Sequence, residues 1–255
     1  AKCHMTCIVS DDDHGRFYIE DLSSNNVSHT NPPISSDISS GRCLVMVSDD
    51  AERTMCTNLG ISTEFRTSDL DEDVIKASNY LFLEGYLVAS PKGMEVCKKA
   101  IEIAIESDTK VSISLSDPNI VNAFKNEIKT LLDMKCDLVF CNEDEALAYT
   151  EKDNILDAVK IFKEISPNFL ITQGSSGCLG FDGKNEFNIP GIKVNAIDSN
   201  GAGDMFAGAV LYCITSGSSL EKGAIFGCYA ASKVVVNVGP RLIKNEYLEI
   251  KNNFF

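Results

Sequence analysis

Hydrophobic and polar positions follow two different rhythms along this chain. From about residue 67 to 237, short apolar runs alternate with longer stretches of helical period. The runs at 79–84 (NYLFLE), 110–115 (KVSISL), 137–141 (DLVFC) and 168–172 (NFLIT) predict strands. Helices are predicted over 91–107, 118–133, 143–149 and 153–165. Ser90 followed by Pro91 marks the start of the first of these, a hydroxyl N-cap before a proline at the first helical position. A hairpin-like stretch, 178–189, is followed by a glycine-rich turn, 198–204, and by helices at 205–216 and 219–237. Such alternation predicts an α/β protein with a mainly parallel sheet flanked by helices on both faces.

Ahead of residue 67 the rhythm differs. Residues 15–24 read as a short helix, and 27–40 are rich in Ser, Asn and Pro without helical period. Two strand-like runs, 43–48 and 54–61, flank the turn-like Asp49-Asp50-Ala51-Glu52. Residues 27–65 therefore read as a small β region apart from a core of 1–26 and 66–255. No internal repeat or low-complexity linker interrupts the pattern.

Composition narrows the choice. The chain has 255 residues, 44% hydrophobic and 24% charged, as expected of one large soluble α/β domain. No run of 18 apolar residues offers a membrane span. Residues 1–13 lack the basic-then-apolar order of a signal peptide, so a cytoplasmic protein is expected. A net charge of −14 argues against a nucleic-acid or anionic-membrane partner. The ten cysteines fall largely in apolar patterns and are expected as reduced thiols. Cys3, His4 and Cys7 have no second ligand pair at zinc-site spacing.

The most informative segment is Asp198-Ser199-Asn200-Gly201-Ala202-Gly203-Asp204, which opens an apolar helix. Small residues let backbone approach a ligand closely. The first N–H groups of a helix have no internal partner, and the helix dipole is positive there. An acidic protein can thus hold an anion without a basic patch. Asp204 then stands where a carboxylate could take a proton from an incoming hydroxyl. The plain alternative is a favourable first-turn charge.

The string D-S-N-G-A-G-D resembles the C-terminal signature D-T-x-G-A-G-D of the ribokinase-like (PfkB) carbohydrate kinases. Asn142-Glu143-Asp144-Glu145 resembles that family's N-x-x-E motif, and Thr172-Gln173-Gly174-Ser175-Ser176-Gly177 its T-x-G-x-x-G loop. All three occur in order at expected strand ends, and the resemblance runs from about residue 15 to 241. It implies a ribokinase-like fold in which the small β region is a lid. It also implies ATP and Mg²⁺ as cofactors, with Asp204 as catalytic base and Gly201, Ala202 and Gly203 as an anion hole. Asn142, Thr172, Gly174, Ser175, Gly177 and Gly203 would bind ATP. Asn142 and Glu145 would organise Mg²⁺ through water, although the same pair fits a helix capping box. Asp198 resembles a position that binds a monovalent cation such as K⁺. No Walker A string occurs.

Within the family, GRCLVMVSDDAERTMCTNLG (41–60), LFLEGYL (81–87) and AASKVVVNVGPRL (230–242) resemble the adenosine-kinase-like branch. Arg53 matches a lid arginine near phosphate or substrate, or is a solvated surface arginine; Asn58 matches a sugar contact. The resemblance implies a small-molecule nucleoside or sugar partner, and a homodimer through the lid. Relatives carry a strand, a Gly-Gly loop and an Asn ahead of the region matching residue 1. About the first quarter of a typical member thus has no counterpart here. A fragment and a reduced relative both fit that expectation. Two functions follow: phosphoryl transfer from ATP to a primary hydroxyl of a nucleoside or sugar, or nucleotide or sugar binding without turnover. An NAD-dependent dehydrogenase is disfavoured, since no third glycine follows Gly203 at fingerprint spacing.

Overall fold

The computed structural model describes residues 1–48 and 53–254, with Arg53 described in backbone only. The turn expected at 49–52 lies outside the described residues. The chain divides into two compact units, Ala1–Val45 with Met55–Cys136 and Met46–Thr54 with Asp137–Phe255.

In the first unit, β1 (Cys3–Met5) pairs in parallel with β2 (Val27–His29) across helix α1 (Asp13–Ser24). This pairing was not expected for 27–29. Strands β3 (Arg42–Val47) and β4 (Arg53–Asn58) form a two-stranded sheet of their own. Short helix α2 (Glu72–Ala77), absent from the sequence reading, leads into β5 (Tyr80–Glu84). Helix α3 (Pro91–Glu106) connects β5 to its parallel partner β6 (Lys110–Ser114). Ser90 caps α3, its hydroxyl accepting the Gly93 amide at 3.0 Å, with Pro91 at the first position. The α3 stripe of Val96, Cys97, Ala100, Ile101 and Ala104 is buried, as a 3.6-residue period requires.

The helix expected over 118–133 is two helices, α4 (Pro118–Ala123) and α5 (Lys125–Met134). Phe124 leaves helical geometry at φ −128°, ψ 32°, ending one helix and capping the next.

Besides Met46–Thr54, the second unit holds β7 (Leu138–Asn142) and continues through α6 (Glu143–Thr150) and α7 (Ile155–Ile165) to β8 (Phe169–Thr172), parallel to β7. Strands β9 (Gly177–Phe181) and β10 (Glu186–Pro190) form the expected hairpin, antiparallel to β8 and to each other. Asp182 closes its turn by accepting the amides of Lys184 and Asn185, and Gly183 supplies the positive φ of 86°. The sheet is therefore mixed, with parallel pairs and an antiparallel hairpin. Helices α8 (Ala202–Thr215) and α9 (Leu220–Val234) follow, and α10 (Lys244–Phe254), for which no element is predicted, ends the described chain.

Leu138, Phe140, Leu170, Cys178 and Ile189 of the sheet share one core with Phe206, Ala207 and Val210 of α8 and Ala224 of α9. Burial of this size supplies most of the folding drive. All ten cysteines are free thiols. No helix among the described residues is long and apolar enough to cross a membrane.

Candidate active site

Every residue proposed for the nucleotide site lies in the second unit. Strand β7 ends at Asn142 and β8 at Thr172, which are register partners. Parallel sheets present ligands at the carboxyl ends of their strands, and both motifs stand there. Phe206, two residues past Asp204, meets Phe140, two residues before Asn142, edge to face at 6.4 Å. That contact brings the start of α8 towards the end of β7.

Gly201 precedes α8 with φ 70°, ψ 2°, a left-handed N-cap without a side-chain hydrogen bond. A Cβ here would overlap the Pro240 carbonyl oxygen, so only glycine fits. Asp198, 1% exposed, holds the turn: one carboxylate oxygen accepts the Asn200 amide at 2.9 Å and the other the Gly239 amide at 2.7 Å. Asn200 is buried beside it. The next positions open outward. Gly203 and Asp204 are exposed, and nothing lies within 4 Å of a Cβ built on Gly203. Their amides have no acceptor among the described residues, as the first turn of a helix dictates. An anion placed there would meet free N–H groups, the positive helix end and the Asp204 carboxylate.

Asn142 and Glu145 form a capping box. Asn142 Oδ1 accepts the Glu145 amide at 2.8 Å, while Glu145 Oε2 accepts the Asn142 backbone amide at 3.0 Å and Oε1 its side-chain amide at 2.8 Å. Glu145 is buried, and it adds to the burial that pushes the Cys141 thiol pKa well above its ordinary value. No group of three or more His, Cys, Asp or Glu side chains suited to a metal exists among the described residues. With its oxygens committed to the cap, the pair fits a hydrated Mg²⁺ reached through water rather than direct ligation. The Asp198 carboxylate, expected at a K⁺ position, is likewise spent on backbone amides.

In the loop after β8, Gly174 (φ 52°), Ser175 and Ser176 are exposed. Gly177 is buried at φ 109°, and a Cβ there would overlap the Ile189 carbonyl, so its smallness serves the hairpin backbone. Gly191, which carries no motif signal, lies behind the crest, where a Cβ would overlap the Ser175 carbonyl oxygen. Ile192, Val194 and Ile197 are exposed in the segment that leads into Asp198, an apolar surface beside the turn that sequence reasoning also missed. In the β3–β4 hairpin, Arg53 opens β4, but its side chain lies outside the description. Asn58 is exposed and accepts the Gly60 amide at 2.9 Å, closing the turn after β4.

This architecture is the ribokinase-like α/β fold. The adenosine kinase structure from Sinorhizobium meliloti matches at a TM-score of 0.95 with 27% identity, covering 99% of this chain and 78% of that one. A putative ribokinase II from E. coli, solved in complex with ATP and Mg²⁺, shares the fold at a TM-score of 0.88 with 19% identity, over 99% of this chain and 82% of that one. The chain belongs to the pfkB family of carbohydrate kinases, whose profile matches residues 1–246. Among its relatives are adenosine kinases from Dictyostelium discoideum, 26% identical over 96% of this chain and 75% of theirs, and from Schizosaccharomyces pombe, 27% identical over 79% and 64%. A 5-dehydro-2-deoxygluconokinase from Listeria innocua is 25% identical over 89% of this chain and 73% of its own. The chain is thus shorter than these relatives.

Proposed function

We propose that this protein transfers the γ-phosphoryl group of ATP to a hydroxymethyl hydroxyl of an adenosine-like nucleoside or a sugar. The observation that carries the reading is the exposed start of α8, where unpartnered amides and the Asp204 carboxylate share one open corner. In this reading Asp204 accepts the acceptor's hydroxyl proton as its oxygen bonds to the γ-phosphorus. The bond from that phosphorus to the β–γ bridging oxygen breaks, and ADP leaves. In the proposed anion hole of Gly201, Ala202 and Gly203 the free Gly203 amide would lead in holding the charge that develops on the transferred group, because the Ala202 amide donates to the Ser199 carbonyl at 3.4 Å.

Asn142, Thr172, Gly174, Ser175 and Gly177 belong to the ATP site of this proposal. Gly177 acts there by letting the loop turn. Mg²⁺ would neutralise phosphate charge, with Asn142 and Glu145 ordering its water shell. The adenosine kinases among the relatives favour a nucleoside acceptor, and the 5-dehydro-2-deoxygluconokinase keeps sugars open. Arg53 and Asn58, on β4, are the lid residues of this proposal. The exposed Leu44, Met46, Val47 and Met55 support both lid closure and pairing of two hairpins in a homodimer.

The test is ATP consumption with adenosine, ribose and fructose offered in turn. Turnover with one of them supports the proposal. ATP binding without turnover by a folded preparation would make this a non-catalytic relative.

A further inference from the structure

Strands β7 and β8 end level, and their ladder stops at the Asn142–Thr172 pair. One residue further the two backbones part. Glu143 begins α6, while Gln173 enters the 3-10 turn Gly174–Ser176. There the Gln173 side-chain amide donates to Glu143 Oε2 at 2.9 Å in a part-buried setting, tying the loop after β8 to the start of α6. Both ends are anchored. The Gln173 backbone amide donates to the Gly177 carbonyl at 2.8 Å, and its carbonyl accepts the Ser176 amide at 2.9 Å. Glu143 rides on a helix start locked by the Asn142–Glu145 box. A bond between two ordered backbones loses little entropy on forming, and a charged acceptor strengthens it.

We propose that Gln173 and Glu143 are positioning residues for the nucleotide, a role that rests on the kinase reading above. The bridge sets the exposed crest Gly174-Ser175-Ser176 at a fixed height over the strand ends. It also pins one of the three acidic side chains in the first turn of α6, Glu143, Asp144 and Glu145.

The test compares Gln173→Ala, Glu143→Ala, the double variant and Glu143→Gln, each read by ATP affinity in equilibrium binding, by KM and kcat, and by Tm. The Glu143→Gln side chain still offers an oxygen to the Gln173 amide but carries no charge. The bridge predicts that each alanine variant weakens ATP binding and raises KM about fivefold, with kcat within about twofold of wild type. The double variant should be no worse than either single one. Glu143→Gln should recover most of the loss. Equal behaviour of Glu143→Gln and Glu143→Ala would reduce the effect to charge and overturn the bridge. A drop in Tm with ATP affinity unchanged would overturn it too, as a purely structural tie. Wild-type protein that neither binds nor consumes ATP would overturn the kinase reading and the bridge together. Wild-type binding with all variants alike would overturn the bridge alone.

Discussion

Asp12 grips Ser40 twice: its Oδ1 accepts the serine hydroxyl at 2.7 Å and its Oδ2 the serine amide at 2.8 Å. The same Oδ1 accepts the Gly15 amide at 2.8 Å, so one carboxylate both caps α1 and fastens the segment that enters β3. Ser10 completes the knot, its amide donating to Ser40 Oγ and its hydroxyl to the Ile38 carbonyl.

The Ser40 amide, then the Gly15 amide and the Ser40 hydroxyl, hold the Asp12 carboxyl down to a pKa of about 2, below an ordinary value of 3.8. A depressed folded-state pKa stabilises the native state at pH above the unfolded value, and that stability is lost as pH falls through the folded value. Urea midpoints of wild type and Asp12→Asn should therefore differ by a constant amount above pH ~5 and converge between pH ~4 and ~2. A difference that stayed constant down to pH ~2 would show that the charge on Asp12 contributes nothing to the tie.

Asp204→Asn keeps the shape of the α8 start and removes the proton acceptor. Turnover should fall about a hundredfold or more, with ATP affinity nearly unchanged. Rapid-quench product formation beside a binding titration measures both. Full turnover in the variant would take Asp204 out of the chemistry.

Gly201 and Gly203, on either side of Ala202, should respond to alanine in opposite ways. Gly201→Ala adds a Cβ against the Pro240 carbonyl at positive φ and should cost at least about 2 kcal/mol in chemical denaturation. Gly203→Ala meets open space and replaces a helical glycine, so stability should hold or rise by about 0.5–1 kcal/mol. In the anion-site reading its methyl group enters the phosphate's place, and ATP affinity should drop. Unchanged ATP binding by Gly203→Ala would count against that site.

The thiols should separate by accessibility. Cys3, Cys43 and Cys56 are exposed, whereas burial pushes Cys97 up to about 12 and Cys228 to about 11. Only a thiolate attacks a disulfide reagent. At pH ~8 the three exposed cysteines should label in the native protein, and Cys97, Cys141 and Cys178 only after unfolding, as mass mapping of modified peptides would show. Fast native labelling of Cys97 would contradict its burial.

Much of this molecule is written locally. Ser90-Pro91 starts α3, Asn142 with Glu145 starts α6, and the period of apolar residues sets the strands and the long helices, because caps and periodicity act within a few residues. The three motifs were legible for the same reason, each being a short backbone shape that glycine or a capping side chain enforces. Other features needed partners far along the chain. Val27–His29 found Cys3–Met5 as a parallel strand, a pairing no local signal encodes. Asp198, read as a cation position, closes on Gly239, 41 residues away, and Gly201 owes its necessity to Pro240. The order of amino acids was enough to say which positions carry turns, caps and charge, since those are properties of a residue and its near neighbours. Which amides stay free, which carboxylates are spent on holding turns, and that Gln173 reaches Glu143 were settled by the packed fold, because each depends on where distant segments come to rest when the core closes.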